Sequence, residues 1–160
     1  MINLSFLENI FGKKKPNIAL LIDGPNVIRK ALKLDLVKVK KEVQKHGNLS
    51  IAKIYLDQFA SDKLIEAMVN QGFDITTTTG DVDVTMAIEA MEFALDKNID
   101  IIALMTRDTD YRPVLVKTKA RGKRTIIIAT DIAFSAALKN TADIVIIFKE
   151  NGEAEHVINQ

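Results

Sequence analysis

Cysteine is absent from the 160-residue chain. That excludes a disulfide framework, a thiol nucleophile and cysteine-ligated zinc, and it is the usage expected of a reducing, cytoplasmic location. Two histidines are too few for a histidine-rich metal site. Tryptophan is missing, and aromatics make up 6% of residues, so a stacking platform for single-stranded nucleic acid is thinly provided. No apolar run reaches the ~20 residues that span a bilayer. A secretory signal is not expected either, because Lys13, Lys14 and Lys15 come after the first apolar stretch instead of preceding it. What remains is a globular composition, 48% apolar and 27% charged, with a net charge of +1. A chain of this length buries roughly two thirds of its unfolded surface as one domain.

Residues 1–16 stand apart from the rest of the chain. Leu7, Ile10 and Phe11 share a helical face, Gly12 and Pro16 end the pattern, and three lysines lie between. This predicts a short appendage and basic linker. Its apolar face is expected to pack on the body or on a second copy, so a homodimer is among the expectations. A continuous apolar run, 17–23, then predicts a strand buried on both faces. Further strands are expected over 51–57, 73–79, 99–106, 124–130 and 143–148. Helical segments fall over 26–46, as two pieces, over 60–71 and 84–98, around Pro113 to Gly122, and over 132–141. The 84–98 segment has an apolar stripe at 84, 87, 88, 91 and 95, expected to face the core. Residues 17–150 thus read as one α/β domain, a three-layer α/β/α arrangement with a mostly parallel central sheet. Residues 151–160 read as an acidic, frayed tail.

In such sheets ligands bind beyond the carboxyl ends of the strands. Three acidic segments fall there. The first strand runs into Asp23-Gly24-Pro25-Asn26, and the fourth into Thr106-Arg107-Asp108-Thr109-Asp110. Gly80-Asp81-Val82-Asp83 lies at the entrance of the long helix. Carboxylates gathered in one mouth repel one another, and a hard divalent cation, Mg²⁺ or Mn²⁺, relieves that repulsion. Local roles compete with this reading. Asp83 and Asp110 could each cap a helix, and Asp23 could bond its own turn.

Leu21 to Asn26, Val82-Asp83-Val84 and Thr106 to Pro113 resemble the three signature blocks of the NYN domain. That family lies within the PIN-like nuclease superfamily, and the chain is similar to its LabA-like (DUF88) branch. The resemblance extends to Arg121-Gly122-Lys123 and Ala142-Asp143 and covers about residues 17–148. It implies a PIN-like fold and metal-dependent cleavage of RNA. By position, Asp23, Asp83, Asp108 and Asp110 match the family's acidic metal-binding residues. Asn26 matches the asparagine that supports the first of them, and Thr106 a hydroxyl near metal or phosphate. Glu89 stands where the family often has aspartate, and Gly80-Asp81 replace a customary basic residue, so Asp81 and Glu89 are secondary candidates.

Hydrolysis of a phosphodiester needs an activated water and stabilisation of the leaving oxygen, both within reach of one or two divalent ions. The RNA phosphates need cations around the acidic mouth, and Arg29, Lys30, Arg107, Arg112, Lys119 and Arg121 are the candidates. Such basic stripes also serve as solvated faces. Tyr111, the aromatic beside the acids, is expected to pack in the core. His46 and His156 read as surface residues. Besides a metal-dependent endoribonuclease, two readings compete: a non-catalytic RNA-binding or regulatory module on the same fold, and a small-molecule phosphohydrolase.

Overall fold

A computed structural model describes residues 3–28, 35–130 and 135–160. Its element order matches the apolar periodicity closely. After helix α1 (Leu4–Phe11) come β1 (Asn17–Asp23), α2 (Gly24–Ile28), α3 (Leu36–Gln44), β2 (Asn48–Asp57), α4 (Asp62–Asn70) and β3 (Asp74–Thr78). The second half holds α5 (Val82–Leu95), β4 (Ile101–Met105), a 3-10 turn (Thr109–Tyr111), α6 (Arg112–Ala120), β5 (Arg124–Thr130), α7 (Ala136–Thr141), β6 (Ile144–Phe148) and β7 (Ala154–Ile158).

The seven strands form one sheet in the order β3-β2-β1-β4-β5-β6-β7. Every pairing is parallel except β6 with β7. The fold is therefore α/β with a mostly parallel central sheet. The uninterrupted apolar runs explain its centre. In β1, Ile18, Leu20 and Ile22 enter the core shared with α3 and α4, while Ala19 and Leu21 enter the core under α5, α6 and α7. Side chains alternate across a strand, so a strand apolar at every position must be covered on both faces. Each such fully buried leucine or isoleucine contributes about 1.5–3 kcal/mol.

The chain builds outward from β1 to β3 and then returns to place β4 on the other side of β1. Helices leaving β1 and β4 diverge from that point, which opens a crevice between the two carboxyl ends. The β1–β4 register pairs Ile22 with Met105, so Asp23 stands level with Thr106.

Several expectations need correction. Residues 154–158 are not frayed. They form β7, turned back by a hairpin in which Gly152 has φ +81° and Asn151 accepts from the Glu153 amide at 3.0 Å. A polar edge strand resembles a tail in sequence because one of its faces meets water. Helix α5 buries Val82, Met86, Ala90 and Ala94, whereas Val84, Ile88 and Leu95 of the expected stripe are exposed. The helix is apolar nearly all round, so periodicity cannot select its inner face, and the small Ala90 and Ala94 allow close approach to the sheet. Helix α1 buries none of its residues, and Leu4, Phe6, Ile10 and Phe11 are exposed rather than packed on the body. Within 26–46, expected as two pieces, the described residues form α2 and α3, and only the start differs, at Gly24.

Candidate acidic site

Asp23 ends β1 and is 1% exposed. A buried carboxylate requires donors, and it has them. Its Oδ2 accepts from Asn26 Nδ2 at 2.6 Å and from Thr106 Oγ1 at 3.1 Å. Its Oδ1 has a longer contact, 3.4 Å, with the Asn26 amide. The turn that presents Asn26 depends on Gly24. A Cβ there would lie 2.5 Å from both Leu56 Cδ2 and the Tyr55 carbonyl oxygen. Only glycine lets the chain pass this close to β2 directly after the aspartate.

Beyond β4 a relay of short-range bonds fixes the second acidic segment. The buried Thr106 Oγ1 accepts from the Asp108 amide at 3.1 Å, and Asp108 Oδ1 accepts from the Asp110 amide at 2.8 Å. Thr106 therefore couples the Asp108 loop to Asp23. The third segment opens α5. Asp81 is its N-cap residue but makes no side-chain cap bond, and Asp83 lies in the first turn. The local capping roles are thus redistributed: Asp108 caps the 3-10 turn, and neither Asp81 nor Asp83 caps α5 through its side chain.

Asp23, Asp81, Asp83 and Asp108 line one cavity of about 350 Å³, together with Asn26, Pro25, Gly80, Val82 and Asp57. Asp110 lines a neighbouring cavity with Asp83, Val84, Ala87 and Tyr111. Asp57 is not among the residues the sequence motifs single out. It ends β2 as Asp23 ends β1, and its Oδ1 accepts from the Phe59 amide at 2.9 Å.

Among the described residues, no three carboxylates stand close enough to make a ready cation cage. They line the cavity wall instead. An all-oxygen donor set of this openness fits a small hard cation that binds through one or two carboxylates, keeps water and completes its shell with substrate phosphate. Asp23, Asp83 and Asp108, three of the four expected ligands, are among the residues that line the cavity.

Tyr111 is 1% exposed, and among the described residues its buried hydroxyl oxygen makes no well-formed hydrogen bond. Burial raises its phenol well above the usual range, and the charges of Asp23, Asp83 and Asp108 and a weak hydrogen-bonding interaction with Asp23 raise it further.

The other candidates lie apart from the cavity. Glu89 on α5 accepts from Lys53 Nζ at 2.6 Å and from the Tyr55 hydroxyl. Burial pushes its carboxyl upward, but those two bonds outweigh it and hold the group below its ordinary value. Glu89 is thus engaged with β2 and does not line the acidic cavity. Arg107 and Arg112 flank the acidic segment in sequence, Arg107 half-buried and Arg112 exposed, and neither lines the cavity. Lys119 and Arg121 do not flank it: they sit at the far end of α6, just before β5 begins. Lys119 donates to the Thr141 carbonyl at 3.0 Å and pairs with Asp143 at 3.4 Å. Arg29 and Lys30 lie outside the described residues. The histidines are not independent surface groups. His46 Nε2 lies 2.7 Å from His156 Nδ1, and His156 Nε2 lies 2.8 Å from Glu42 Oε2.

The arrangement has relatives. An uncharacterized protein of Methanocaldococcus jannaschii is 50% identical over 134 residues, covering 84% of this chain. The chain spans only 56% of that protein's length. A crystal structure of a Vibrio parahaemolyticus protein of unknown function superposes with a TM-score of 0.76 at 21% identity, over 88% of this chain and 97% of that one, which shows a shared fold. No helix among the described residues is long and apolar enough to cross a membrane. The family model for the NYN domain matches residues 17–150, nearly all of the region that builds the sheet and the acidic cavity, and the chain belongs to the NYN domain family.

Proposed function

We propose that the chain is a metal-dependent endoribonuclease of the LabA-like (DUF88) branch, hydrolysing RNA phosphodiester bonds at the acidic cavity. One observation carries this reading: Asp23 is buried at the topological switch point, held by Asn26 and Thr106, and it lines a cavity with four further aspartates. Burying a carboxylate is costly unless its charge is used or paired.

Asp23 and Asp108 would hold Mg²⁺ or Mn²⁺, with Asp83 and, through water, Asp57 and Asp110 completing the surroundings. Such an ion lowers the pKa of water and offsets charge on the leaving oxygen. Asn26 and Thr106 fix the Asp23 carboxylate. Asp81, exposed and making no cap bond, would accept the proton released by the attacking water. Arg107 and Arg112 draw the phosphate backbone to the mouth, and Arg29 and Lys30, which come after the first acidic turn in sequence, join them in this reading.

A second reading, a non-catalytic RNA-binding module, draws on the absence of a ready cation cage among the described residues. One experiment separates the two. Mixed RNA is incubated with the protein and Mn²⁺ or Mg²⁺, then with EDTA, beside the Asp23→Asn variant. Cleavage that needs metal and disappears in the variant supports the nuclease. RNA retention without cleavage in both proteins supports the module. Turnover of an aryl phosphate with RNA untouched supports neither, and points to a small-molecule phosphohydrolase.

A further inference from the structure

Native proteins rarely leave a buried hydroxyl without a partner, and each such group calls for a physical explanation. Tyr111 presents one where it lines the cavity that also holds Asp83 and Asp110. Core packing alone would be served by phenylalanine, because the ring is already buried beside the side chains of α5 and α6. The added oxygen feels the charges of Asp23, Asp83 and Asp108, and Asp23 acts on it most strongly, through its charge and a hydrogen-bonding interaction short of a well-formed bond. Carboxylates only accept, so the sole productive role for a phenol among them is to donate.

Asp23 has room for that donor. Both strong bonds it receives, from Asn26 and Thr106, fall on Oδ2, while among the described residues Oδ1 has only the long contact from the Asn26 amide. We propose that the Tyr111 hydroxyl is a positioning group for Asp23. It is the third arm of a donor clamp with Asn26 and Thr106, and it closes onto the carboxylate when Asp23 takes a divalent cation. The inference rests on the metal-dependent reading above and adds a residue to it. Outer donors of this kind orient a ligating carboxylate, and their loss typically costs about 10–100-fold in metal affinity.

The composition supplies a direct probe. The chain has no tryptophan and two tyrosines, Tyr55 and Tyr111. Tyr55 bonds Glu89, which keeps its Lys53 partner if Tyr55 becomes phenylalanine. In a Tyr55→Phe protein, ultraviolet tyrosine emission therefore comes from Tyr111 alone. Titrating Mg²⁺, which is diamagnetic, should change that emission with the same midpoint as calorimetric binding to the wild type. Tyr111→Phe keeps the ring and should weaken Mg²⁺ binding about tenfold by calorimetry, while its metal-free melting temperature holds or rises. RNA cleavage by this variant should recover as Mg²⁺ is raised, which a packing defect would not allow.

Silent Tyr111 emission during wild-type-like Mg²⁺ binding, together with an unchanged affinity in Tyr111→Phe, overturns the clamp and leaves the nuclease reading intact. A wild-type protein that binds no divalent cation overturns both. A Tyr111→Phe protein that melts well below the wild type without metal shows the hydroxyl to be structural, and also overturns the proposal.

Discussion

The two edges of the same sheet treat charge in opposite ways. At the amino edge, charged groups are matched. Asp143 accepts from the Thr125 amide and hydroxyl, both at 2.8 Å, and Asp100 accepts from the Asn17 amide at 2.8 Å. Lys123 donates to the Asp96 and Ile99 carbonyls at 2.9 and 2.6 Å. At the carboxyl edge, five aspartates share one cavity, and among the described residues neither lysine nor arginine lines it. A fold gains nothing in stability from crowding like charges. The amino edge is therefore where charge stabilises the fold, and the carboxyl edge is where charge is held for something else.

The sharpest way to break this comparison is to neutralise one aspartate at each edge. Asp23→Asn or Asp108→Asn should reduce RNA cleavage by more than about a hundredfold, beyond the usual loss for an outer-shell partner. Without metal, Asp108→Asn should melt at or above the wild-type temperature, because it relieves repulsion. Single-turnover cleavage and thermal melts in EDTA measure the two effects. Asp108→Asn that melts far lower, with cleavage intact, would make the carboxyl edge another structural edge.

Gly24→Ala tests how the backbone serves Asp23. The added methyl meets Leu56 and the Tyr55 carbonyl at 2.5 Å, so the turn or β2 must shift. Overpacking of this kind costs about 1–3 kcal/mol, and the shift displaces Asn26 from Asp23. Chemical denaturation should show the destabilisation, and cleavage at saturating metal should fall with it. Unchanged cleavage would mean that the Asn26 contact is dispensable.

Much of the carboxyl edge is legible in the sequence, and the reasons are local. Asp23 and Asp108 come after runs that are apolar at every position, so the strands and their ends are unmistakable. Asp57 escapes notice although its strand is expected to end there, because Gln58-Phe59-Ala60 after it carry no second acid to mark a site. The Tyr111 hydroxyl cannot be read, because burial and the want of a partner are properties of the packed chain. Charge alone draws Lys119 and Arg121 to the mouth. Their position just before β5 places them instead at the amino edge of a parallel strand, a signal that is present in the sequence. The pairing of β7 with β6 and the inward face of α5 depend on tertiary packing, which overrides a weak or uniform local pattern.

Asp143→Ala sharpens the amino-edge half. It leaves the Thr125 amide and hydroxyl without their acceptor and should cost about 1–3 kcal/mol in stability, with RNA cleavage per folded molecule unchanged. Burial acts to raise the Asp143 carboxyl, but the Thr125 bonds and Lys119 prevail and hold it below its ordinary value of 3.8. A depressed carboxyl contributes stability above its unfolded pKa and loses it as pH falls through the folded one. The gap between wild type and variant in urea melts should therefore be widest near neutrality and close below about pH 4. A gap that is constant with pH would assign the effect to packing.

The smallest effect concerns the histidine pair, which ties the end of α3 to β7. His46 lies below its ordinary value of 6.5, first through burial and then through the neighbouring His156 and Arg124. The folded chain thus binds a proton there less readily than the unfolded chain. Stability from this group is present above pH 6.5 and declines as pH drops toward the folded value. His46→Gln removes the titration, so its stability should fall less than the wild type's between about pH 7 and pH 5. Hydrogen exchange at the β6–β7 amides reads the effect locally, with wild-type protection lost first on acidification. Equal loss in both proteins would free β7 from any dependence on His46 and leave its attachment to the β6 ladder alone.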